Sequence, residues 1–435
     1  MSKGLTLART FHLAGHRVIG ADFSPLACGR FSAALSAFYT LQKPTQSDSG
    51  PYISSLLETI RREGVDLWVS CSGVASAVED GFAKEAVESQ TICKAVQFGI
   101  EDTRRLHEKD TFIQHTRSIG LEVPETHTVR SRDSMLTALK KSIGLAAEKG
   151  KNRRRFIAKS IGMDDKSRGD MTLLPCPAEN ETKAHIARLD ISDKDPWILQ
   201  EYVKGEEYCT HALVIRGQVK AFVACPSAEL LMHYSALPAD SPLSLAMLSF
   251  TQRHADAGGP EFTGHLSFDF LVKEEDIKNG NAKDILLYPI ECNPRAHTAV
   301  VLFNRPKDLA DQYLSLLSSD EHCIATGRQE KSCSIIAPHQ SENYYWVGHD
   351  LVELVLLPAV KTISGRLPLD VTLRSWKTFF EHLVYWRDGT YEFWDPLPWW
   401  CLYHVFWPTQ FVASISIGQK WSRMNVSTTK MFSSA

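Results

Sequence analysis

Two short apolar strings separated by a polar stretch constrain the fold of this 435-residue chain more than any other feature. The first string is Phe-Asp-Phe at 268–270, and the second is Ile-Glu-Cys-Asn-Pro-Arg at 290–295. The stretch at 276–284 is rich in Asp, Asn and Gly, so the pattern predicts two β-strands joined by a variable turn. Pairing of these strands brings the polar residues at their ends into one small volume.

Three polar side chains of this hairpin, Asp269, Glu291 and Asn293, offer oxygen donors without sulfur or imidazole. That donor set suits a hard cation such as Mg²⁺, which takes its other ligands from phosphates and water. Arg295 follows closely and can place a fixed positive charge where a phosphoryl group or an anionic intermediate develops charge. An acidic cluster that solvates a turn is the alternative for Asp269 alone, whereas the whole string favours a metal site.

Composition narrows the class of protein. A net charge of −3 gives no sign of a nucleic-acid-binding surface. The ten cysteines form no Cys-x-x-Cys pair and no Cys/His cluster, which predicts neither a zinc site nor a disulfide framework. Reduced cysteines, and the lack of a charged-then-apolar signal after Met1, fit a cytoplasmic enzyme.

The length allows two or three domains. Helix and strand signals alternate over 1–100, which predicts a parallel sheet. Because this pattern begins with a helix, where a strand and its glycine-rich turn would normally come first, we expect the first strand to be missing. A smaller unit follows over 101–205, in which a single helical stretch at 101–118 precedes further strands and helices. The hairpin lies in 206–317, and helices are predicted in 335–435. The predicted fold class is α/β (α+β).

The hairpin string resembles the metal-binding end of the ATP-grasp superfamily of ATP-dependent ligases, and the resemblance covers roughly 101–305. It implies an ATP-grasp fold in which 1–100 is the pre-grasp domain, 101–205 the small lid domain and 206–317 the metal-binding catalytic domain, with a helical extension at 335–435. It also implies ATP and Mg²⁺ as cofactors and a C–N ligase reaction.

The resemblance places five further residues at the nucleotide. Lys159 would lie beside the α/β-phosphates, with Lys109 nearby, so that two ammonium groups offset the polyphosphate charge. Backbone groups at Glu201 and Val203 would recognise the purine edge, and Glu207, or the glutamate before it, would hold the ribose hydroxyls. The alternatives are solvated surface lysines and a charged entry to a hairpin.

The loop at 160–174 departs from the glycine-rich form that many members of the superfamily have. Lys166 and Arg168 supply positive charge there directly, and we expect a mobile lid that closes on phosphate, with Arg168 as its catalytic candidate. His297, close after Arg295, is a candidate substrate contact or general base, with a capping or packing role as the alternative.

A narrower resemblance runs over nearly the whole chain. The stretches 2–5, 15–18, 166–175, 344–351 and 394–398 look like the ATP-grasp ligase of mycosporine biosynthesis. In that family ATP phosphorylates an enol oxygen of 4-deoxygadusol, and the amine of glycine displaces the phosphate. The resemblance implies a small acid or enol substrate and an amine such as glycine. The alternatives are a carboxylate–amine ligase and a non-catalytic nucleotide-binding or membrane-associated protein.

The segment 394–417 is aromatic and strongly apolar, but Pro408 interrupts it, so it is a poor candidate for a membrane span. An interfacial amphipathic helix is one alternative. Helices that pack over the active-site cleft are the favoured prediction, and we expect no membrane contact.

Overall fold

The computed structural model of the chain combines helices and strands throughout, which confirms the predicted α/β (α+β) class. The structure describes residues 1–45, 48–73, 77–148, 154–161, 170–227, 232–278, 280–318, 334–338, 342–418 and 421–433.

The α-helices, numbered in chain order, are α1 (Ser2–Leu13), α2 (Gly50–Glu63), α3 (Ala77–Gln90), α4 (Ile100–His107), α5 (Lys109–Ser118), α6 (Arg132–Glu148), α7 (Glu179–Arg188), α8 (Pro242–Gly258), α9 (Glu274–Lys278), α10 (Pro306–Leu314), α11 (Val347–Asp350), α12 (Leu357–Ile363), α13 (Leu369–Tyr385), α14 (Leu397–Cys401) and α15 (Trp407–Ser416). Wider π-helical turns occupy Leu351–Leu356 and Leu402–Phe406.

The strands are β1 (Ile19–Asp22), β2 (Ala37–Thr40), β3 (Leu67–Val69), β4 (Lys94–Val96), β5 (Thr126–Val129), β6 (Phe156–Ser160), β7 (Leu173–Leu174), β8 (Trp197–Glu201), β9 (Glu206–Ile215), β10 (Gln218–Pro226), β11 (His233–Ser235), β12 (Gly264–Val272), β13 (Tyr288–Asn293), β14 (Asn343–Tyr345), β15 (Arg387–Asp388), β16 (Trp421–Asn425) and β17 (Lys430–Ser433).

The first hundred residues alternate between helices and parallel strands, as predicted. Within the described part of this region, β1 pairs with β2 and β3 pairs with β4, giving two separate parallel pairs. Helix α2 begins with a proline in its first turn and ends at Gly64, whose positive φ of 61° suits a glycine at the helix end. Its apolar face buries Leu56 and Ile60 in a core shared with α3.

The single helical stretch predicted over 101–118 is wrong, because the structure has two helices there. Glu108 lies between them with an extended backbone (φ −75°, ψ 129°), so α5 starts at Lys109. Leu106 and Phe112, on either side of the break, are both fully buried. The new start places Lys109 in the first turn of α5.

Two four-stranded antiparallel sheets follow. The first has the order β5-β8-β6-β7, and α6 and α7 bury Met135, Leu139 and Ile186 against it. The second has the order β10-β9-β12-β13, and α8 packs on it through Phe250, which contacts Phe268. Each strand presents alternate side chains to opposite faces. In the second sheet both faces are buried, since Leu213 and Val223 join one apolar cluster while Val214 and Phe222 join another.

The C-terminal segment contains strands as well as helices and is tied to earlier parts of the chain. Strand β14 pairs with β11, and β15 adds to the same small sheet. The buried Arg9 of α1 donates from Nε to Asp395 Oδ2 at 2.8 Å and also bonds the carbonyls of Thr390 and Asp395. Ser32 Oγ donates to the same carboxylate at 2.5 Å. Asp395 therefore joins the C-terminal segment to the N-terminal helix.

Candidate functional site

The predicted hairpin of β12 and β13 is confirmed, with the short helix α9 in its connection. Asp269 lies directly opposite Glu291 in the antiparallel register, and Ser267 lies opposite Asn293. The register shifts between Asp269 and Phe270, where the second strand has one extra residue. The three predicted metal ligands are therefore neighbours on one patch of the sheet.

Hydrogen bonds link the side chain of Asn293 to both carboxylates and to Arg295. The Asn293 amide donates from Nδ2 to Glu291 Oε1 at 3.0 Å and to Asp269 Oδ2 at 3.3 Å. Its Oδ1 accepts from Arg295 Nη2 at 3.2 Å. In this orientation Asn293 turns its nitrogen toward the carboxylates. To bind a cation through oxygen, the amide must rotate by half a turn, which would also release Arg295.

Negative charge exceeds positive charge around the carboxylates of Asp269 and Glu291. Burial, followed by the neighbouring Glu291 and Glu207 carboxylates, raises the pKa of Asp269 well above its usual range, while Arg295 acts in the opposite direction. Asp269 Oδ1 is buried and has no hydrogen-bond partner within the described chain. A buried polar atom without a partner is costly, so this oxygen is suited to a ligand that supplies positive charge.

The residues present fit a divalent cation. The convergence of Asp269, Glu291 and Glu207 offers only oxygen donors, the set that Mg²⁺ prefers. A bound cation would relieve the repulsion that raises the pKa of Asp269 and would give its unpartnered Oδ1 a contact.

Lys159 extends this site from the neighbouring sheet. It stands near the end of β6, and its Nζ donates to Gln200 Oε1 at 3.0 Å. Burial lowers the pKa of Lys159 to about 8, with Glu291 and Glu207 raising it and Lys109 lowering it. Lys109 Nζ in turn donates to the carbonyl of Ser160 at 3.3 Å. The two predicted phosphate lysines thus lie together and face the carboxylates of the other sheet.

The predicted purine-binding segment follows β8. The Glu201 N–H donates to the carbonyl of Glu125 at 2.7 Å, so a purine contact through this backbone would fall to the Glu201 carbonyl. The Glu201 side chain accepts from the backbone of Glu125 and lies 3.5 Å from Arg154 Nε. Val203 is buried, as an apolar slot requires. Glu201 ends β8, which pairs with β5 on one side and β6 on the other, and the rest of the segment follows this strand.

Glu207 lies at the start of β9, exposed and opposite Leu271 of β12. Its Oε1 accepts from Ser227 Oγ at 2.7 Å. Glu207 is close enough to both Lys159 and Asp269 to raise the pKa of each. That position is compatible with the predicted contact to ribose hydroxyls.

Of the two other catalytic candidates, Arg168 and His297, the structure describes only His297. Arg168 and Lys166 lie outside the described residues. His297 is buried and caps the short helical segment Thr298–Leu302, because its Nδ1 accepts from the Ala299 N–H at 3.2 Å. Burial and nearby Arg295 lower the pKa of His297 well below its usual range. Of the two roles predicted for His297, the structure shows the capping one.

One charged residue near the site was not predicted. Lys3 of α1 is buried, and its Nζ donates to the carbonyl of Ser72 at 2.5 Å. Burial and Arg295 lower the pKa of Lys3 to about 7. Lys3 and Arg295 thus place two positive charges close together, although 292 positions separate them in the chain. No local pattern in the sequence indicates this proximity.

The C-terminal helices leave many large apolar side chains in solvent. Ile363 and Phe393 are each 88% exposed, and Tyr385 and Ile417 are 79% and 75% exposed. The buried side chains of the same segment, including Leu402 and Trp407, join the core formed with Leu7 and Val300. No helix in the described part of the chain has both the length and the apolar character needed to cross a membrane.

Comparison with known proteins gives only distant similarities. No family model and no curated protein matches the chain. Among solved structures, it resembles an N5-carboxyaminoimidazole synthetase from Staphylococcus aureus complexed with ADP (13% identity, 72% of this chain and 74% of the other, TM-score 0.48). A biotin carboxylase from Campylobacter jejuni in complex with β-γ-ATP is 15% identical over 74% of this chain and 70% of the other (TM-score 0.49).

An L-amino acid ligase from Bacillus licheniformis is 14% identical over 67% of this chain and 64% of its own length, with a TM-score of 0.43. Similarities at this level are too weak to define a family, an activity or a substrate.

Proposed function

We propose that this chain is an ATP- and Mg²⁺-dependent C–N ligase of the ATP-grasp type. The observation that carries the proposal is the meeting of two lysines with a group of carboxylates between two antiparallel sheets. Lys159 interacts electrostatically with Lys109, Glu291 and Glu207. Lysines that face carboxylates across a cleft suit a nucleotide polyphosphate bound together with a divalent cation.

The roles follow from charge and position. Lys159 and Lys109 offset the negative charge of the phosphates and orient them. Asp269 and Glu291, with Asn293 after rotation of its amide, hold Mg²⁺, which supplies Lewis-acid polarisation of the phosphoryl oxygens. Arg295 lies beside these ligands and stabilises charge on the phosphoryl group as it moves from ADP to an acidic oxygen of the substrate.

The second half of the reaction joins the amine. Its nitrogen lone pair forms a bond to the activated carbon, the C–O bond to phosphate breaks, and the nitrogen loses a proton. Arg295 and the neighbouring Lys3 are suited to hold the departing inorganic phosphate, because an anion would favour the charged form of Lys3 beside the Arg295 guanidinium. The lid predicted at 160–174 would exclude water, which would otherwise hydrolyse the phosphorylated intermediate.

The substrate proposal rests on the sequence resemblance to the mycosporine ligases. The acceptor would be 4-deoxygadusol, whose vinylogous acid resembles a carboxylic acid, and the amine would be glycine. A carboxylic acid would use the same side chains, so the carboxylate–amine ligase is the alternative within this class. One fold accommodates many substrates, and only the reaction products distinguish the two.

Omission experiments with the purified chain test this proposal. We expect ADP and phosphate release to need Mg²⁺, ATP, 4-deoxygadusol and glycine together, with formation of an ultraviolet-absorbing adduct. Release that needs a carboxylic acid and an amine instead would support the alternative substrate class. A folded protein that releases no ADP with either acceptor would contradict a ligase activity.

A second candidate function, compatible with the first, is attachment to a lipid surface through the C-terminal helices. It is favoured by the exposure of Ile363, Tyr385, Phe393 and Ile417 in one segment, since large exposed apolar surfaces commonly mark interaction sites. Co-sedimentation with phosphatidylcholine and phosphatidylserine vesicles tests it. Loss of binding in a Phe393→Ser, Ile417→Ser double variant, with retention in Ile92→Ser (88% exposed, N-terminal region), is the expected result.

A further inference from the structure

Three side chains that no sequence pattern connects converge away from the nucleotide site. His233 lies on β11, Asp350 ends α11 and His382 lies on α13. His233 Nε2 is 2.7 Å from Asp350 Oδ1, and His382 Nδ1 is 2.6 Å from Asp350 Oδ2. One carboxylate is therefore held between two imidazoles, and the donor atoms of all three lie within 4.8 Å of one another.

Burial distinguishes this cluster from a surface ion pair. The Asp350 side chain is fully buried, that of His382 is 12% exposed and that of His233 is 34% exposed. The Trp386 ring packs on both imidazoles, with centroids 4.3 Å from His382 and 5.5 Å from His233. The cluster is thus closed on the side of Asp350 and open to solvent on the side of His233, which leaves a path for a small ion.

We propose that His233, His382 and Asp350 form a binding site for a divalent transition-metal ion, with Zn²⁺ as the best match. Two imidazole nitrogens and one carboxylate oxygen form a set of three protein ligands that Zn²⁺ uses when it keeps one position for water. The nitrogen donors distinguish this site from the all-oxygen set at Asp269, which favours Mg²⁺. The proposal is independent of the ligase activity.

Metal binding at this cluster shifts protons within the imidazoles. Without an ion, each imidazole donates an N–H to one carboxylate oxygen. Zn²⁺ occupies the nitrogen that faces the carboxylate on each ring, the proton of each neutral imidazole moves to the other ring nitrogen, and each donor is drawn to about 2.0–2.1 Å from the ion. Donors around a tetrahedral ion are then roughly 3.3 Å apart, so the hydrogen-bonded pairs must open by about 0.6 Å. The partly exposed His233 side chain has room for this movement.

The site would fasten the C-terminal helices to the central part of the chain. Its ligands come from a strand before α8 and from two helices after residue 346, so an ion would link segments more than one hundred residues apart. The next residue, Tyr234, points to the other face of β11, where its ring lies 5.9 Å from that of His297. A metal ion at His233 therefore fixes the strand that also borders the nucleotide site.

Cobalt binding tests the proposal directly, because Co²⁺ replaces Zn²⁺ and absorbs visible light when bound by few ligands. The full chain is stripped of metal, supplied with excess Mg²⁺ to fill the oxygen site, and titrated with Co²⁺. We expect saturation near one equivalent, loss of the absorbance on adding Zn²⁺, and a rise in melting temperature with Zn²⁺ that a chelator reverses.

Matched variants identify the ligands. His233→Gln and His382→Gln should each weaken Co²⁺ binding at least tenfold. His404→Gln, which changes an exposed histidine of the same segment, should leave binding unchanged. Glu291→Gln separates the sites, because it alters the oxygen site and should retain the Co²⁺ signal. Far-UV circular dichroism checks that each variant is folded. His233→Gln should disturb the fold less than His382→Gln, because the His233 side chain is partly exposed.

These binding measurements can either support or overturn the proposed metal site. The metal site is supported if the wild-type chain binds about one equivalent of Co²⁺, if both histidine variants lose this binding, and if His404→Gln and Glu291→Gln keep it. Absence of Co²⁺ and Zn²⁺ binding in the folded wild-type chain would overturn it and leave a hydrogen-bonded His–Asp–His cluster. Binding that persists in folded His233→Gln and His382→Gln protein would overturn it equally.

Discussion

Asp269 and Glu291 face each other across β12 and β13, and the pKa of Asp269 is raised by burial and by this neighbouring carboxylate. Two acidic groups at such close range destabilise the protein unless a cation or a proton compensates them. The proposed site therefore stores electrostatic repulsion that binding of Mg²⁺ relieves.

Glu291→Gln should remove Mg²⁺-dependent turnover while folding stays near normal. The amide keeps the shape of the side chain but cannot balance the charge of a divalent cation, so we expect a loss of about 100-fold or more in kcat. Steady-state ADP release measures the effect. Glu275→Gln, an exposed glutamate in the connection between the same strands, is the control. Equal activity in both variants would rule out Glu291 as a metal ligand.

Asp269→Asn should stabilise the protein in the absence of Mg²⁺. A raised pKa in the folded chain means that Asp269 contributes stability below its ordinary pKa and loses that contribution as the pH rises through the raised value. At pH 7 the variant should therefore have a higher free energy of unfolding than the wild-type chain. Urea denaturation measures it, and a decrease in stability would contradict the proposed repulsion.

Lys159 should make nucleotide binding depend on pH. Its pKa of about 8 means that the ammonium is charged below pH 8 and loses its proton above that value. The affinity for ATP should be full at pH 7 and fall by up to about tenfold per unit above pH 8. Lys159→Arg keeps its charge and should flatten the profile, whereas Lys159→Ala should weaken ATP binding at every pH. Calorimetric titration gives these affinities, and an identical profile in Lys159→Arg would refute the assignment.

The buried pair of Arg9 and Asp395 should be essential for stability. Asp395→Asn leaves the Arg9 guanidinium buried without its charged partner, which typically costs about 3–5 kcal/mol. Asp370→Asn breaks an exposed pair with Arg374 and should change stability by less than about 1 kcal/mol. Urea unfolding of the two variants compares them under the same conditions. A similar, small effect in both would mean that Arg9 finds other partners.

Patterns within a few neighbouring residues were enough to predict some strands and the side chains that they position. The string around Glu291 implied a strand opposite the one that carries Asp269, and the observed register places these two residues face to face. The place of Lys159 beside the phosphates came from the resemblance to the ATP-grasp superfamily and stays a prediction. For Asp269 and Glu291, the alternation of side chains along a strand fixes the position of the functional group.

Contacts between distant segments could not be predicted in this way. Lys3 lies near Arg295 only because α1 packs beside the segment that follows β13. His233 and Asp350 are separated by 117 positions and His382 by a further 32, so no motif spacing connects them. The break at Glu108 was missed because no proline or glycine marks it in the sequence, and only the extended backbone at that residue shows it.

The most direct test of the central claim is the affinity of the purified chain for a non-hydrolysable ATP analogue, measured with and without Mg²⁺. The proposal predicts that Mg²⁺ strengthens binding in the wild-type protein and that Glu291→Gln removes this gain while keeping the Mg²⁺-free affinity. A folded chain that does not bind the analogue, or binds it equally with and without Mg²⁺, would contradict the proposed site.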